Sequence, residues 1–311
     1  MASSVYKRLI GLILCGLLTS CQQTVQPTSS DLPMRPIQHA TGTAQVPVSP
    51  QRVVVLDYAP LDTALALDVI PVGMTEVPIS PIYPEVINDI TVVGKGLQPN
   101  LETILKLKPD LILGSKVGAN RWYRQLSDIA PTVLTKDNGR EGSWQENFRL
   151  HADALGQAEQ AKQILAAYQQ RVDTLQIELQ QPLQTMTVSV IANWSRGVIA
   201  YSADSFPGSI LQDLGFERNP YQGQGKRYGV LLSKEELSAI DGDILFLMHQ
   251  STDDNSIAKT EFISDPLWST LNVVKQGIVC EVDSTTWAGG RSILAANQIL
   301  TDVELCLSQE K

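Results

Sequence analysis

The chain has 311 residues, of which 43% are hydrophobic and 18% charged, with 33 acidic residues against 24 Lys and Arg and a formal net charge of -9. This is the balance of a globular protein long enough to bury a core in one large domain or two modest ones, which excludes a disordered or fibrous chain. The acidic excess and the lack of a basic run beyond the first residues exclude nucleic acid as a partner.

At the N-terminus, Lys7 and Arg8 precede an apolar run from Leu9 to Leu18 that ends in Leu18-Thr19-Ser20-Cys21. That pattern reads as an export signal, residues 1–20, and its apolar stretch is too short for a permanent transmembrane helix, which needs about 20 residues. Its end resembles the bacterial lipobox, which implies acylation at Cys21. Residues 21–50 are rich in Gln, Thr, Ser and Pro, the composition of a flexible tether.

Folded sequence is expected from residue 51. Short apolar runs at 52–57, 71–74, 91–93, 111–113 and 133–135 read as strands, and helical patterns at 60–67, 100–108 and 121–129 lie between them. This is an α/β lobe over 51–157. Residues 158–181 contain no Gly and one apolar stripe at 161, 165, 168, 172, 175 and 179, the spacing of a single helix face. Such a helix is about 36 Å long, enough to join two lobes. A second α/β lobe follows over 182–311, ending in a helical pattern at 292–307.

An internal repeat supports two similar lobes. Asn100-Leu-Glu-Thr-Ile-Leu-Lys-Leu-Lys-Pro-Asp-Leu-Ile-Leu113 recurs 133 residues later as Ser233-Lys-Glu-Glu-Leu-Ser-Ala-Ile-Asp-Gly-Asp-Ile-Leu-Phe246. Each copy opens with a helix-capping residue, places Glu in the first turn, breaks at Pro109 or Gly242, and enters a strand behind Asp. The fold class predicted is therefore α/β, with two similar lobes joined by one long helix and a ligand cleft between them.

The chemistry of an enzyme is hard to find. There is no GxSxG, GxGxxG, P-loop or HExxH, and the three histidines, His39, His151 and His249, share no metal-ligand spacing. Asp57, Asp110 and Asp243 stand at strand edges, where capping and loop hydrogen bonding are the commoner tasks. No CxxC pair suggests a zinc site. With Cys15 in the signal and Cys21 lipidated, Cys280 and Cys306 are left to form either one disulfide or two buried thiols. What remains is a set of cations and aromatics in loops after strands, where open α/β sheets bind ligands: Lys116, Arg121, Trp122 and Tyr123, then Trp194 and Arg196, Tyr201, the 219–228 loop with Tyr221 and Arg227, and the segment Trp287 to Arg291. Such a set suits an anionic, flat-faced ligand.

Several motifs together resemble the iron-siderophore substrate-binding proteins of ABC importers: Pro50 to Asp57, Asn100 to Leu113, Ile129-Ala-Pro-Thr132, Ser205-Phe-Pro-Gly through Phe216, Ser233 to Phe246, Asp265-Pro-Leu-Trp268 and Val282-Asp through Trp287. The resemblance implies a monomeric lipoprotein of the periplasm or cell surface, held to the membrane by its lipid alone. It would hand a ferric chelate to a permease dimer and its ATPase. It implies no enzyme activity, no cofactor and no protein ligand to the metal, because the siderophore saturates the iron. It places permease docking on Glu102 and Glu235 and ligand contacts on Tyr221 and Trp287. With the loop cations and Tyr83 the expected ligand set is Tyr83, Lys116, Arg121, Trp122, Arg196, Tyr221, Arg227, Trp287 and Arg291. Phe206 stands where catecholate binders carry Arg, and Lys116 sits where a citrate-type group has a basic residue, so a hydroxamate or citrate-hydroxamate siderophore is expected. A cobalamin or haem binder of the same fold is the alternative, with Tyr83, Tyr123 or Tyr228 as an axial haem ligand. Nitrogenase-like or chelatase-like enzymes would need Cys clusters or catalytic His.

Overall fold

The computed structural model describes residues 33–179, 186–194, 197–223, 227–249, 260–276 and 278–308. The signal segment, Cys21 and Arg196 lie outside the described residues. Description begins with a hairpin, β1 (Met34–His39) paired antiparallel with β2 (Gly42–Pro47). This corrects the expectation of a tether reaching residue 50. The hairpin buries Ile37 and Val46 against the core, its Ala40 amide donates to Leu134 O, and Arg35 pairs with Asp153 at 2.9 Å. Its inward face is only a few residues long, so the polar composition around it hid the period-two pattern.

The first lobe contains β3 (Val53–Val55), α1 (Tyr58–Ala66), β4 (Gly73–Glu76), β5 (Thr91–Lys95), β6 (Gln98–Pro99), α2 (Leu101–Leu107), β7 (Leu111–Ser115), α3 (Lys116–Ala119), α4 (Tyr123–Ile129) and β8 (Thr132–Thr135). Its sheet has the order β6-β5-β4-β3-β7-β8 and is parallel except at β5 and β6. The central runs Val53–Val55 and Leu111–Leu113 are apolar at every position because both faces are covered. Val53, Val55, Leu111 and Leu113 face a core cluster shared with the second lobe, whereas Val54 and Ile112 face a separate cluster under α2 and α4.

Next come α5 (Trp144–Ala154) and the long α6 (Ala158–Glu178). The α6 stripe buries Ala161, Tyr168, Val172 and Leu175, and Arg171 ties the helix to Asn297 O and Thr301. The second lobe holds β9 (Thr187–Trp194), β10 (Gly197–Tyr201), α7 (Phe206–Asp213), β11 (Glu217–Arg218), β12 (Gly229–Leu232), β13 (Ile244–His249), α8 (Asn272–Gln276), β14 (Val279–Asp283) and α9 (Ile293–Ser308). Its sheet order is β12-β10-β9-β13-β14, with β11 on the start of β9. The molecule is thus two α/β lobes joined by one long helix.

The repeat has a physical meaning in both lobes. Asp110 accepts the amides of Gln51 and Arg52 at the start of β3, and Asp243 accepts the amide and hydroxyl of Thr187 at the start of β9. Each Asp therefore sets the register of the central strand beside the one it opens. The helical part diverges: Asn100 caps α2 through Thr103, but Lys234–Ile240 winds as a 3-10 helix with a Ser233–Glu236 capping box. Cys280 and Cys306 form a disulfide that joins β14 to α9.

Candidate functional site

The carboxyl ends of the two sheets meet at a cleft with two adjoining cavities of about 450 and 760 Å³ that share Tyr58, Pro78, Arg140 and Arg291. The smaller one is walled by Ile199, Tyr201, Phe206, Tyr228 and Leu231 of the second lobe and by the segment 284–291, and the larger by Leu56, Asp57, Val77, Lys95, Leu97 and Val117 of the first. Ligand sites of open α/β sheets lie at this end because strands there diverge into loops.

Arg291 is at the centre but already engaged. Its guanidinium donates from Nη2 to Asp57 Oδ1 at 3.0 Å, from Nη1 to Asn138 O and from Nε to Gly289 O, and it lies 4.8 Å over the Tyr58 ring. Only 3% of the residue is exposed. Asp57 also caps α1 at the Tyr58 amide and accepts from Ser115 Oγ at 3.0 Å. This pair is one stitch in a buried polar seam between α1 and the segment 284–295. Ser80 Oγ meets Thr286 Oγ1 at 2.7 Å and Thr63 Oγ1 meets Ser292 Oγ at 3.0 Å. Asp62 accepts the amides of Leu294 and Ala295, capping α9 from the other lobe. Burial raises the Asp62 carboxyl to about 7, against the lowering effect of those hydrogen bonds.

Arg140 differs. It is exposed, lies 5.3 Å over the Tyr228 ring, and among the described residues no carboxylate is within ion-pair distance of it. The loop that carries it is fixed by Asp137, whose Oδ1 accepts from Gly139 N, Ser143 Oγ and Asn147 Nδ2. Burial pushes the Asp137 carboxyl up, but these donors outweigh it and hold the group below its ordinary range. Gly139 has φ +78°, and a Cβ there would come within 2.9 Å of Arg291 O, so the close approach of the two arginine-bearing segments needs glycine.

Of the expected ligand residues, Arg291 is brought into the cleft wall. Two are not. Trp287 is fully buried, stacked at 4.8 Å on Phe246 with Nε1 donating to Asp302, and Tyr83 is buried with its hydroxyl 3.5 Å from Asp62. Both are core residues rather than cleft residues, because the seam encloses them. Tyr221 packs half-buried on the outer core cluster of the second lobe. Lys116 is exposed at the start of α3, beside the cleft residue Val117. Arg121 and Trp122 both donate to Leu97 O, at 2.8 and 3.1 Å. Arg227 has φ +54° and meets Glu141 at 3.6 Å beyond the mouth. Tyr58 and Arg140 were missed, although both follow strands and meet the same rule that selected the others. Tyr123 is half-buried against His39.

Glu102 stands in the first turn of α2, largely exposed and 2.7 Å from Lys106; Glu235 is exposed while its neighbour Glu236 makes the capping box.

The family described as periplasmic binding protein matches residues 53–286. The chain belongs to that family. It is 34% identical over 305 residues to the "Probable siderophore-binding lipoprotein YfiY" of Bacillus subtilis (strain 168), covering 93% of each chain. It is 31% identical over 303 residues to the "Fe(3+)-citrate-binding protein YfmC" of the same organism, covering 94% of this chain and 92% of that one. The crystal structure of Staphylococcus aureus SirA complexed with staphyloferrin B matches with a TM-score of 0.77 at 32% identity, over 88% of this chain and 98% of that one. These relatives carry the names of binding proteins rather than of enzymes. Names of lipoproteins and periplasmic proteins among them support an extracytoplasmic location. No described helix is long and apolar enough to cross a membrane.

Proposed function

We propose that this family member captures a ferric siderophore of the citrate-hydroxamate or hydroxamate type in the interlobe cleft and delivers it to an ABC permease with its ATPase. The observation that carries this reading is Arg140, a cation without a described acidic partner that lies over Tyr228 where the two cavities join. A ferric chelate with free carboxylate oxygens needs such a donor, while Tyr58 and Tyr228 offer ring faces to its skeleton. The siderophore supplies the iron ligands, so the chain need only recognise the outer surface of the chelate. Relatives named for ferric citrate and achromobactin support the substrate class.

The test is a fluorescence titration of the soluble domain, which carries five Trp, with ferric citrate, a citrate dihydroxamate, a trihydroxamate, a catecholate, haemin and cobalamin. Submicromolar binding of a citrate or hydroxamate chelate is expected, weakened about 10- to 100-fold by Arg140→Ala, the worth of a hydrogen bond to a charged group. Binding of haemin or cobalamin alone would overturn the substrate.

Docking on the permease is assigned to Glu102 and Glu235, the equivalent positions of the repeat. Their removal is expected to abolish uptake in vesicles carrying the permease while chelate affinity stays within about twofold; retained uptake would reject the assignment. The lipid anchor at Cys21 and the monomeric state belong to the same proposal.

A further inference from the structure

The turn between β5 and β6 faces the larger cavity and is held more firmly than an exposed turn requires. Gly94 and Gly96 have φ of +139° and +55°, and a Cβ on Gly94 would meet Gln98 O at 2.3 Å, so the tight reversal depends on glycine. Its apex carbonyl, Leu97 O, receives both the Arg121 guanidinium and the Trp122 indole N–H, and Arg121 itself lies 5.3 Å over the Trp122 ring. The residue fixed in this way is an aliphatic one that stays 56% exposed. Its Cδ2 lies 3.6 Å from where a Cβ of Gly118 would be, so the side chain rests over α3 next to Val117, which is 58% exposed. Leu97 and Val117 line the same cavity as Arg140 and Arg291. An apolar patch on one side and a cation at the centre match a ligand that is anionic at one end and aliphatic along an arm.

We propose that Leu97 and Val117 form an aliphatic lip that selects, among ferric citrate-type chelates, those bearing an aliphatic arm, with Arg121 and Trp122 as positioning residues for it. This rests on the ferric-chelate reading given above. Covering the remaining exposed surface of one Leu is worth about tenfold in affinity. Arg121 and Trp122 act through Leu97 and not by touching the chelate.

The experiment measures two dissociation constants, for ferric citrate and for a ferric citrate dihydroxamate with aliphatic spacers, on the wild type, Leu97→Ser and Trp122→Phe. The wild type is expected to prefer the dihydroxamate, Leu97→Ser to lower that preference about tenfold, and Trp122→Phe, which keeps an aromatic ring and loses the N–H, to lower it about two- to threefold. A general loss of folding would shift both constants together and leave their ratio intact. An unchanged ratio in both variants, or no preference in the wild type, overturns the lip. Binding of neither chelate by the wild type overturns the ferric-chelate reading and the lip with it.

Discussion

The segment 284–295 and the turn at Leu97 face one cleft from different sides, and they are fixed by different means. The first is buried: Asp57, Asp62, Thr63 and Ser80 hold it by hydrogen bonds across the lobe boundary, and Trp287 anchors it to the second lobe. The second is braced from behind and leaves its side chain in water. Residue types rich in binding potential, Arg291, Trp287 and Tyr83, are consumed by structure in the first region, whereas in the second an ordinary Leu is the exposed group. A side chain contributes to recognition only with whatever valence its fold has not already used.

The largest expected effect falls on the buried side. Trp287→Ala is expected to lower stability by about 3–5 kcal/mol in a denaturant titration, as large cavities in a core do. Trp287→Phe should keep chelate affinity within about twofold; a loss of affinity with stability intact would return Trp287 to the ligand set. The next effect comes from the Cys280–Cys306 disulfide, which closes a loop with a sequence separation of 26 around the whole segment 284–291. In the chain-entropy account such a loop is worth about 3 kcal/mol. Reduction, or Cys280→Ser with Cys306→Ser, is expected to lower the unfolding free energy in a denaturant titration by that amount at most; unchanged stability would show that the polar seam alone holds the wall.

The smallest effect is a pH dependence. Asp62 keeps its proton up to about pH 7 in the folded chain, well above the ordinary carboxylate range, so its contribution stabilises the fold at low pH and is lost as pH rises from about 4 to about 7. His151 works in the opposite direction. Burial lowers it to about 4, partly opposed by the Gly114 carbonyl, so the unfolded chain takes up a proton the folded one refuses and stability rises between about pH 4 and 6.5. In the wild type the two offset each other. Asp62→Asn, whose amide resembles the protonated acid, is expected to leave the His151 slope exposed, with stability rising by about 1 kcal/mol per pH unit more steeply than in the wild type across that window. Parallel curves for the two proteins would remove Asp62 from the account.

Strands, helices and the repeat were legible because a strand covered on both faces is apolar throughout and a linker helix shows one stripe. Val53 to Val55, Leu111 to Ser115 and Ala158 to Glu178 lie close to where those patterns put them. The hairpin at 34–47 was not legible, since two inward apolar side chains in a polar stretch carry too little signal. Tyr58 and Arg140 stand after strands, but so do Arg121, Tyr221 and Trp287, and nothing local tells which of them the fold brings to the cleft wall.

The sequence by itself determined two α/β lobes, the helix between them and the equivalence of Asp110 with Asp243. Tertiary structure decided which cations at the cleft are already paired. Arg291 and Arg140 are the same residue type, each in a loop carrying glycines and each beside the cleft. One meets Asp57 from the other lobe and is buried, and the other, among the described residues, meets an aromatic face and no carboxylate. Whether a charge is free depends on which groups the folded chain brings within a few ångströms of it, and those groups lie far away along the sequence.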